Sequence, residues 1–210
     1  MAEFGFILLA AGSASRMGRL KQLLDFGGIP LVRHAAIEAL QSGCAPVVVV
    51  CGAEAKTVSD ALEGLPVLVA LNDRWEEGMG TSIQCGLREL DARAPDVLGM
   101  ILSLADQPLL NRETFARLVD TQRQTALPIV TSQYAGTVGV PVVFMREMFP
   151  ALLALPRAQG CKGIVQKYAS RAALVDCPDA VADIDTPDDF EQVLAEFLSR
   201  PRAHSRSPAG

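Results

Sequence analysis

The stretch GFILLAAGSASRMGRLK, residues 5–21, decides the fold. Its first seven residues, GFILLAA, form a continuous apolar run, which is typical of a strand buried on both faces of a sheet. The other ten, GSASRMGRLK, form a glycine-rich loop, and Pro30 then opens a helical stretch that runs to about Gln41. A buried strand, a polar loop and a helix in this order predict the first unit of an α/β sheet.

The rest of the chain repeats this alternation. Further apolar runs predict strands at 46–51, 66–71, 97–104, 128–132, 140–145 and 173–176. Helical stretches are expected at 54–63, 81–90, 112–123, 187–200 and, with breaks near Pro156 and Gly160, at 146–168. We therefore expect an α/β fold: a doubly wound, mostly parallel, mixed Rossmann-like sheet with helices on both faces, in a single domain over residues 1–200. Residues 201–210, PRAHSRSPAG, have the composition of a disordered tail.

Side chains that can cap helices mark three of the helix starts. Thr81 offers a hydroxyl at the start of the helix predicted from that residue, and Asn111 stands immediately before residues 112–123. Thr186 is followed by Pro187 and two acidic residues, which is the usual order of a capped helix entry.

Composition excludes several classes of function. The net charge of −5 argues against a protein whose main partner is nucleic acid. No apolar run approaches the ~20 residues of a membrane helix, and no signal peptide is visible, so we expect a soluble, cytoplasmic protein. The five cysteines show no CxxC spacing, which favours buried, reduced thiols. With two histidines, the chain has little material for histidine-based metal or triad chemistry.

The loop at 12–21 has the features of a phosphate-binding site. Small residues let backbone N–H groups converge on an anion, and Arg16 and Lys21 supply two cations. The loop lacks the Gly-Lys-Ser/Thr ending of a Walker A motif, because Arg19 follows Gly18. It also lacks the dinucleotide fingerprint, because Ala14 replaces the second glycine, which makes a hydride-transfer enzyme a weak alternative.

Acidic residues that could hold a metal ion occur at two later places in the chain. Asp106 stands two residues beyond the predicted strand at 97–104, where it would face the phosphate loop across the crevice. In Asp183-Ile184-Asp185 the two acids share one face if the backbone is extended. One or two carboxylates together with phosphate oxygens are what Mg²⁺ prefers. We therefore predict Mg²⁺ on Asp106 and Asp185, and leave open whether Asp183 joins.

The loop WEEGMGTS, residues 75–82, is the third feature expected at this edge of the sheet. Its glycines and the helix that begins within it predict free N–H donors pointing into the crevice. A plain connector with Trp75 and Met79 as an apolar plug is the alternative.

Six motifs in this order resemble the MobA-like nucleotidyltransferases, and especially the cytidylyltransferases of molybdenum cofactor synthesis. They are LLAAGSASRMGRLKQLL (8–24), EEGMGTSIQCGL (76–87), LADQPLL (104–110), AGTVGVPVVF (135–144), GCKGIV (160–165) and DIDTPDDF (183–190). The resemblance covers about residues 5–198. The Ala10-Ala11 pair resembles the cytidine-using branch, since a guanine-using branch typically has LAGG there.

The resemblance implies a role for individual residues. The nucleotide and its triphosphate would lie on the first loop, at Leu9, Ala10, Ala11, Gly12, Ser13, Arg16 and Lys21. Asp106 and Asp185 match the acids that hold magnesium, and Gly80 and Ser82 match a loop near the base and substrate. Gly139 and Pro141 match a segment that contacts the acceptor. Val140, Ala158 and Lys162 depart from the histidine, aspartate and arginine that many cofactor cytidylyltransferases carry.

The function expected from residues and resemblance together is Mg²⁺-dependent transfer of CMP from CTP to a phosphate-bearing acceptor, with release of pyrophosphate. The resemblance points to molybdopterin as acceptor and to contact with a molybdenum enzyme. The alternatives are a different acceptor such as a sugar phosphate, a GTP-using guanylyltransferase, and a non-catalytic nucleotide-binding factor that inserts a cofactor.

Overall fold

The computed structural model describes residues 2–13 and 20–200. Its strands are β1 (Phe4–Ala10), β2 (Asp25–Phe26), β3 (Ile29–Pro30), β4 (Val47–Cys51), β5 (Leu68–Leu71), β6 (Gly99–Leu104), β7 (Ile129–Tyr134), β8 (Thr137–Met145) and β9 (Ala172–Asp176). Its α-helices are α1 (Leu31–Gln41), α2 (Ala55–Asp60), α3 (Met79–Arg93), α4 (Arg112–Thr125), α5 (Phe149–Leu153), α6 (Lys162–Lys167) and α7 (Pro187–Ser199).

Seven strands form one sheet in the order β5-β4-β1-β6-β8-β7-β9. Every neighbouring pair in it is parallel except the two pairs that involve β8, which runs antiparallel to both β6 and β7. Because β1, β4 and β6 are parallel and in register, Ala10 lies beside Cys51 and Leu9 lies beside Leu104. The segments that follow these strands therefore meet at one edge of the sheet.

Helices cover both faces of the sheet, as the sequence predicts. Along β1, Phe6 and Leu8 belong to one hydrophobic core with α1 and α4, while Ile7 and Leu9 belong to the other with α3 and α5. All seven residues of β1 are buried, because alternate side chains enter opposite cores. The predicted doubly wound, mostly parallel α/β fold is confirmed.

A third apolar cluster anchors the C-terminal helix beside the residues that follow the first loop. Its buried members are Leu24, Phe26, Leu31, Leu109, Ile184 and Val193. Helix α7 begins at a complete capping box, in which the Thr186 hydroxyl accepts from the Asp189 amide and the Asp189 carboxylate accepts from the Thr186 amide. The cap predicted at Thr186 is confirmed, and so is the Asn111 cap of α4, whose side chain accepts from the Thr114 amide.

Several local predictions were wrong. The hairpin of β2 and β3 was not predicted, because each of its strands has only two residues. Helix α3 begins at Met79 after Gly78 rather than at Thr81, and no side chain caps it. The Thr81 hydroxyl instead contacts two carbonyl oxygens, those of Arg74 and Gly78. Strand β8 begins at Thr137, so the turn before it is shorter than the sequence indicated. The predicted tail, 201–210, lies outside the described residues.

His34 of α1 packs as a neutral ring against this third cluster. Its Nε2 lies 3.0 Å from the Pro108 carbonyl oxygen, and its ring contacts Phe26 and Phe197. Because that partner is an acceptor, Nε2 carries the proton. Burial, the largest influence, lowers the pKa of His34 below its usual value.

We expect this histidine to make the fold less stable in mild acid. A His whose pKa is lowered on folding binds fewer protons than in the unfolded chain, so stability falls as pH drops through the unfolded pKa, about 6.5. His34→Gln keeps a donor for the Pro108 carbonyl and removes this titration. Urea unfolding at pH 7.5 and 5.5 should show a smaller loss of stability for His34→Gln than for wild type. An equal or larger loss in the variant would contradict the assignment.

Candidate functional site

A cavity of about 290 Å³ opens at the carboxyl edge of the sheet, where β1 and β6 end. Its walls come from the first loop, from the residues after β6 and from the start of α3. The lining residues are Leu9, Ala10, Ala11, Gly12, Ser13, Lys21, Gln22, Leu31, Trp75, Gly78, Met79, Ser82, Leu104, Ala105 and Asp106. Nearly all the predicted nucleotide-binding residues that the structure describes therefore lie on one cavity. Arg16 falls outside the described residues.

The first loop is held in shape by Gln22, a residue that the sequence prediction missed. Its Nε2 donates to the carbonyl oxygens of Ala10, at 3.2 Å, and of Gly12, at 2.6 Å. Gln22 is only 3% exposed. By taking up these carbonyl groups, Gln22 orients the backbone of the loop as it leaves β1. Nothing in the sequence separates this glutamine from an ordinary polar surface residue.

Lys21 connects the two acids that the sequence predicts for a metal. Its Nζ lies 2.5 Å from Asp106 Oδ2 and 3.4 Å from Asp185 Oδ1, and it donates to the Ile184 carbonyl oxygen at 3.2 Å. The segment with Asp185 is docked by its backbone, because the Ile184 amide donates to the Asp106 carbonyl oxygen at 3.1 Å. Asp106 and Asp185, 79 positions apart in sequence, therefore face the same point in space.

The electrostatics of this cluster follow from its partial burial. Burial acts to lower the pKa of Lys21, but the charges and hydrogen bonds of Asp106 and Asp185 outweigh it and raise the pKa above its usual value. Lys21 is therefore fully protonated at neutral pH. Partial desolvation and then the charge of Asp106 raise the pKa of the Asp183 carboxyl to about 6. Asp183 thus belongs electrostatically to the same cluster.

The donor set is compatible with a magnesium ion. Asp106 Oδ1 is buried and has no hydrogen-bond partner among the described residues. No group of three or more His, Cys, Asp or Glu side chains suited to a metal occurs within residues 2–13 and 20–200. An ion held here would therefore take one or two carboxylates and complete its shell with phosphate and water oxygens, which is the usual habit of Mg²⁺.

The start of α3 differs from its prediction in one important respect. The N–H groups of this helix start were expected to be free, yet the Gly80 amide donates to the Arg157 carbonyl oxygen at 2.9 Å. Gly80 is buried and does not line the cavity. A Cβ at Gly80 would lie 2.4 Å from the Pro156 carbonyl oxygen. The glycine is therefore required by the close approach of the 156–159 backbone, a tertiary contact that the sequence did not reveal.

Ser82 lies on the cavity as predicted, and its orientation is fixed. Its Oγ accepts from Asn72 Nδ2 at 2.9 Å, and the same amide donates to the Thr81 hydroxyl at 2.9 Å. Because Asn72 takes an acceptor position on Oγ, the Ser82 hydroxyl proton remains available to a ligand. Asn72 is 7% exposed and was not predicted as part of the site.

Trp75 and Met79 form an apolar part of the cavity lining. Trp75 is placed by Gly52, where an added Cβ would lie 2.6 Å from Trp75 Cβ and 2.7 Å from the Ala11 carbonyl oxygen. Met79 is 42% exposed. The alternative interpretation of loop 75–82, an apolar plug of Trp75 and Met79, therefore fits these contacts better than free N–H donors at Gly80, whose amide is bonded to Arg157.

The residues matched to an acceptor segment lie apart from this cavity. Gly139 and Pro141 are in β8, where the space of a Gly139 side chain is taken by the Tyr134 hydroxyl, 2.5 Å from an added Cβ. Lys162 begins α6 and its Nζ donates to the Thr137 hydroxyl at 2.6 Å. Val140 and Ala158 do not line the cavity either. The geometry thus brings together the predicted nucleotide residues but not the predicted acceptor residues.

None of the helices in the described part of the chain has both the length and the apolar character that crossing a bilayer requires.

Comparison with known proteins adds three relatives of nearly full length. The chain is 32% identical to nicotine blue oxidoreductase of Paenarthrobacter nicotinovorans over 197 residues, which is 90% of this chain and 95% of that protein. It is 27% identical to the purine catabolism protein PucB of Bacillus subtilis, over 89% and 94% of the two chains. Rv0371c of Mycobacterium tuberculosis has a similar structure, with a TM-score of 0.76, 28% identity and coverage of 92% and 98%. A manganese complex of Rv0371c matches with a TM-score of 0.70 and 29% identity, over 92% and 98%.

The family of the chain is shown by a match to a family model that covers most of its length. Residues 6–172 match the MobA-like NTP transferase domain, and this range contains the first loop, Asp106 and the whole cavity lining. Asp185 lies beyond the matched range. The resemblance seen in the sequence motifs is thereby confirmed, and the chain belongs to the MobA-like NTP transferase family.

Proposed function

We propose that this protein transfers CMP from CTP to a phosphate-bearing acceptor of the molybdopterin type and releases pyrophosphate. The observation that carries the proposal is the contact of Lys21, which lines the cavity with Asp106, with both Asp106 and Asp185. A cation and two acids beside small residues with accessible backbone amides form a set suited to a triphosphate and a divalent ion.

The chemistry requires positioning and charge neutralisation. An oxygen of the acceptor phosphate attacks the α-phosphorus of CTP, the bond from that phosphorus to the β-phosphate oxygen breaks, and pyrophosphate leaves with the bonding electron pair. An ionised phosphate nucleophile needs no general base, in keeping with the absence of histidine from the described cavity lining. Backbone amides of Gly12 and Ser13, with Lys21 and Arg16, would hold the phosphates in line for attack.

Asp106 and Asp185 are the residues that would hold the magnesium ion. Such an ion supplies positive charge to phosphate oxygens as the bond to the leaving group lengthens. A cytoplasmic location and, from the family resemblance, contact with a molybdenum enzyme accompany this proposal as predictions.

Nucleotide binding is the most direct test. CTP at a hundred times its Kd, with Mg²⁺, should stabilise the fold by about 2.7 kcal/mol, because a ligand bound only to the folded state raises stability by mass action. Thermal unfolding with CTP, GTP, ATP and UTP, with and without Mg²⁺, measures this. A shift with GTP alone would favour the guanylyltransferase alternative, and no Mg²⁺-dependent shift with any nucleotide would contradict the proposal.

The acceptor is tested separately by pyrophosphate release. With CTP and Mg²⁺ held constant, molybdopterin should support release, whereas sugar phosphates should not. Binding of CTP without release on any acceptor would indicate the non-catalytic, cofactor-inserting alternative.

A second candidate is an oxidoreductase, which the 32% identity to nicotine blue oxidoreductase over 90% of the chain favours. The dinucleotide fingerprint is absent from the first loop, which weighs against it. An assay of NADH or NADPH oxidation in the presence of nicotine blue distinguishes the two functions. The oxidation is measured as loss of absorbance at the band of the reduced nicotinamide. Turnover in that assay without pyrophosphate release from CTP would replace the proposal with the second candidate.

A further inference from the structure

The ammonium group of Lys21 occupies the space between the two acids. Three oxygen atoms converge on its Nζ, those of Asp106 Oδ2, the Ile184 carbonyl and Asp185 Oδ1, at 2.5, 3.2 and 3.4 Å. The side chain is only 15% exposed, so this position is enclosed. A cation that is to contact both acids has to approach the point where the ammonium group already lies.

A divalent ion and the ammonium group cannot share this position. Mg²⁺ binds carboxylate oxygens at about 2.0–2.1 Å, so an ion that bridges Asp106 Oδ2 and Asp185 Oδ1 would overlap the amine, which lies 2.5 Å from the first oxygen and 3.4 Å from the second. An ion on the other oxygen, Asp106 Oδ1, would still bind the carboxylate to which the ammonium group donates. The ion and the ammonium group would then lie on the same carboxylate, and two cations so close together in a partly buried site repel each other strongly.

The Lys21 amine has an alternative position within the same cavity. It is the last residue of the first loop and begins a short helical turn, and Gly12 and Ser13 of the same loop line the cavity with it. The lysine stem has four flexible carbons, so the amine can move while the backbone stays in place. Gly12 and Ser13 are exposed, and their backbone is the proposed binding site of the triphosphate.

We infer that Lys21 and a divalent cation exclude one another from the Asp106–Asp185 pair, so that arrival of the ion releases Lys21 toward the phosphate-binding loop. The inference rests on the proposed metal role of the two acids. Lys21 then couples the ion to the triphosphate, because binding of one favours the state that binds the other. Metal affinity and nucleotide affinity would then respond in opposite directions to loss of the lysine charge.

The experiment uses Mn²⁺ alone as probe, titrated into nucleotide-free protein and followed by electron paramagnetic resonance of the free ion. Lys21→Met removes the competing charge and should bind Mn²⁺ about tenfold more tightly than wild type. In the variant the ion no longer has to displace an ammonium group that is held by strong, charge-assisted hydrogen bonds. Lys21→Gln, which is also uncharged, should behave in the same way and serves if Lys21→Met is unfolded by circular dichroism. Lys21→Arg keeps the charge and should gain nothing, and Lys167→Met is the control for a lysine distant from the acids.

Asp106→Asn combined with Lys21→Met separates the two proposals. Loss of the tight Mn²⁺ site in this double variant is expected. If Mn²⁺ binding needs Asp106 but is unchanged or weaker in Lys21→Met and Lys21→Gln, the exclusion is overturned while the metal role stands. If Mn²⁺ binding does not need Asp106, both the exclusion and the proposed metal role are overturned.

Discussion

Replacing Asp106 with asparagine should lower the rate of CTP-dependent pyrophosphate release by about a hundredfold or more. Loss of one charge contact that stabilises a transition state costs ~3 kcal/mol, which is about two orders of magnitude in rate. Asp106 is central to the cluster, because its Oδ2 contacts Lys21 while its carbonyl oxygen holds the segment of Asp185. Asparagine keeps the shape and the backbone contact but removes the charge that a metal ion and Lys21 require.

The measurement is steady-state pyrophosphate release with CTP, Mg²⁺ and the acceptor. The loss is expected in kcat more than in KM, since the charge acts mainly as the leaving group departs. Asp60→Asn is the matched control, an acid whose only described ion pair is the exposed one with Lys56. Equal kcat values for Asp106→Asn and wild type would remove Asp106 from the mechanism.

Replacing Gly80 with alanine should lower the free energy of unfolding by about 3 kcal/mol, at the upper end of overpacking costs. The added Cβ would lie 2.4, 2.9 and 3.0 Å from the carbonyl oxygens of Pro156, Arg157 and Gln159. All three are backbone atoms, so relief requires the whole segment to move. That movement would also break the hydrogen bond from the Gly80 amide to Arg157.

Gly163→Ala is the matched control for this substitution. Gly163 lies in helix α6 and an added Cβ meets no atom within 4 Å. Alanine there should stabilise the fold by up to about 1 kcal/mol, because glycine is a poor helix former. Urea unfolding of both variants provides the comparison. A Gly80→Ala protein as stable as wild type would show that segment 156–159 can shift at little cost.

Nucleotide binding should fall along with stability in Gly80→Ala. Met79 and Ser82 flank Gly80 and line the cavity, so displacement of the helix start changes its wall. This links a packing contact to the site without any direct contact between Gly80 and a ligand.

The local sequence determined much of the fold. The apolar run of β1 enters two cores, and it is visible in the sequence as a continuous apolar segment because both faces of the strand are buried. The caps at Asn111 and Thr186 were predicted because such contacts reach only three residues along the chain. Asp106 was assigned to the site because parallel strands place their carboxyl ends together.

Where prediction failed, the deciding contact joins residues distant in sequence. The Gly80 amide meets Arg157, and Trp75 lies against Gly52. Neither contact leaves a periodic or short-range pattern in the chain. Glycines that are required for packing therefore could not be distinguished in the sequence from glycines that bind an anion. Gln22 was missed for a related reason, since its two partners are carbonyl oxygens whose orientation depends on how the loop folds back.

The sequence by itself determined the α/β class and which acids and cations could meet at the edge of the sheet, because these follow from residue type and strand order, and its motifs indicated the family by resemblance. Only the tertiary structure decided that Lys21 lies between Asp106 and Asp185, and that Gly80 serves packing while Ser82 faces the cavity. The physical reason is that such contacts depend on distances between separate elements, which are set when both faces of the sheet are packed and cannot be read along a single strand or helix.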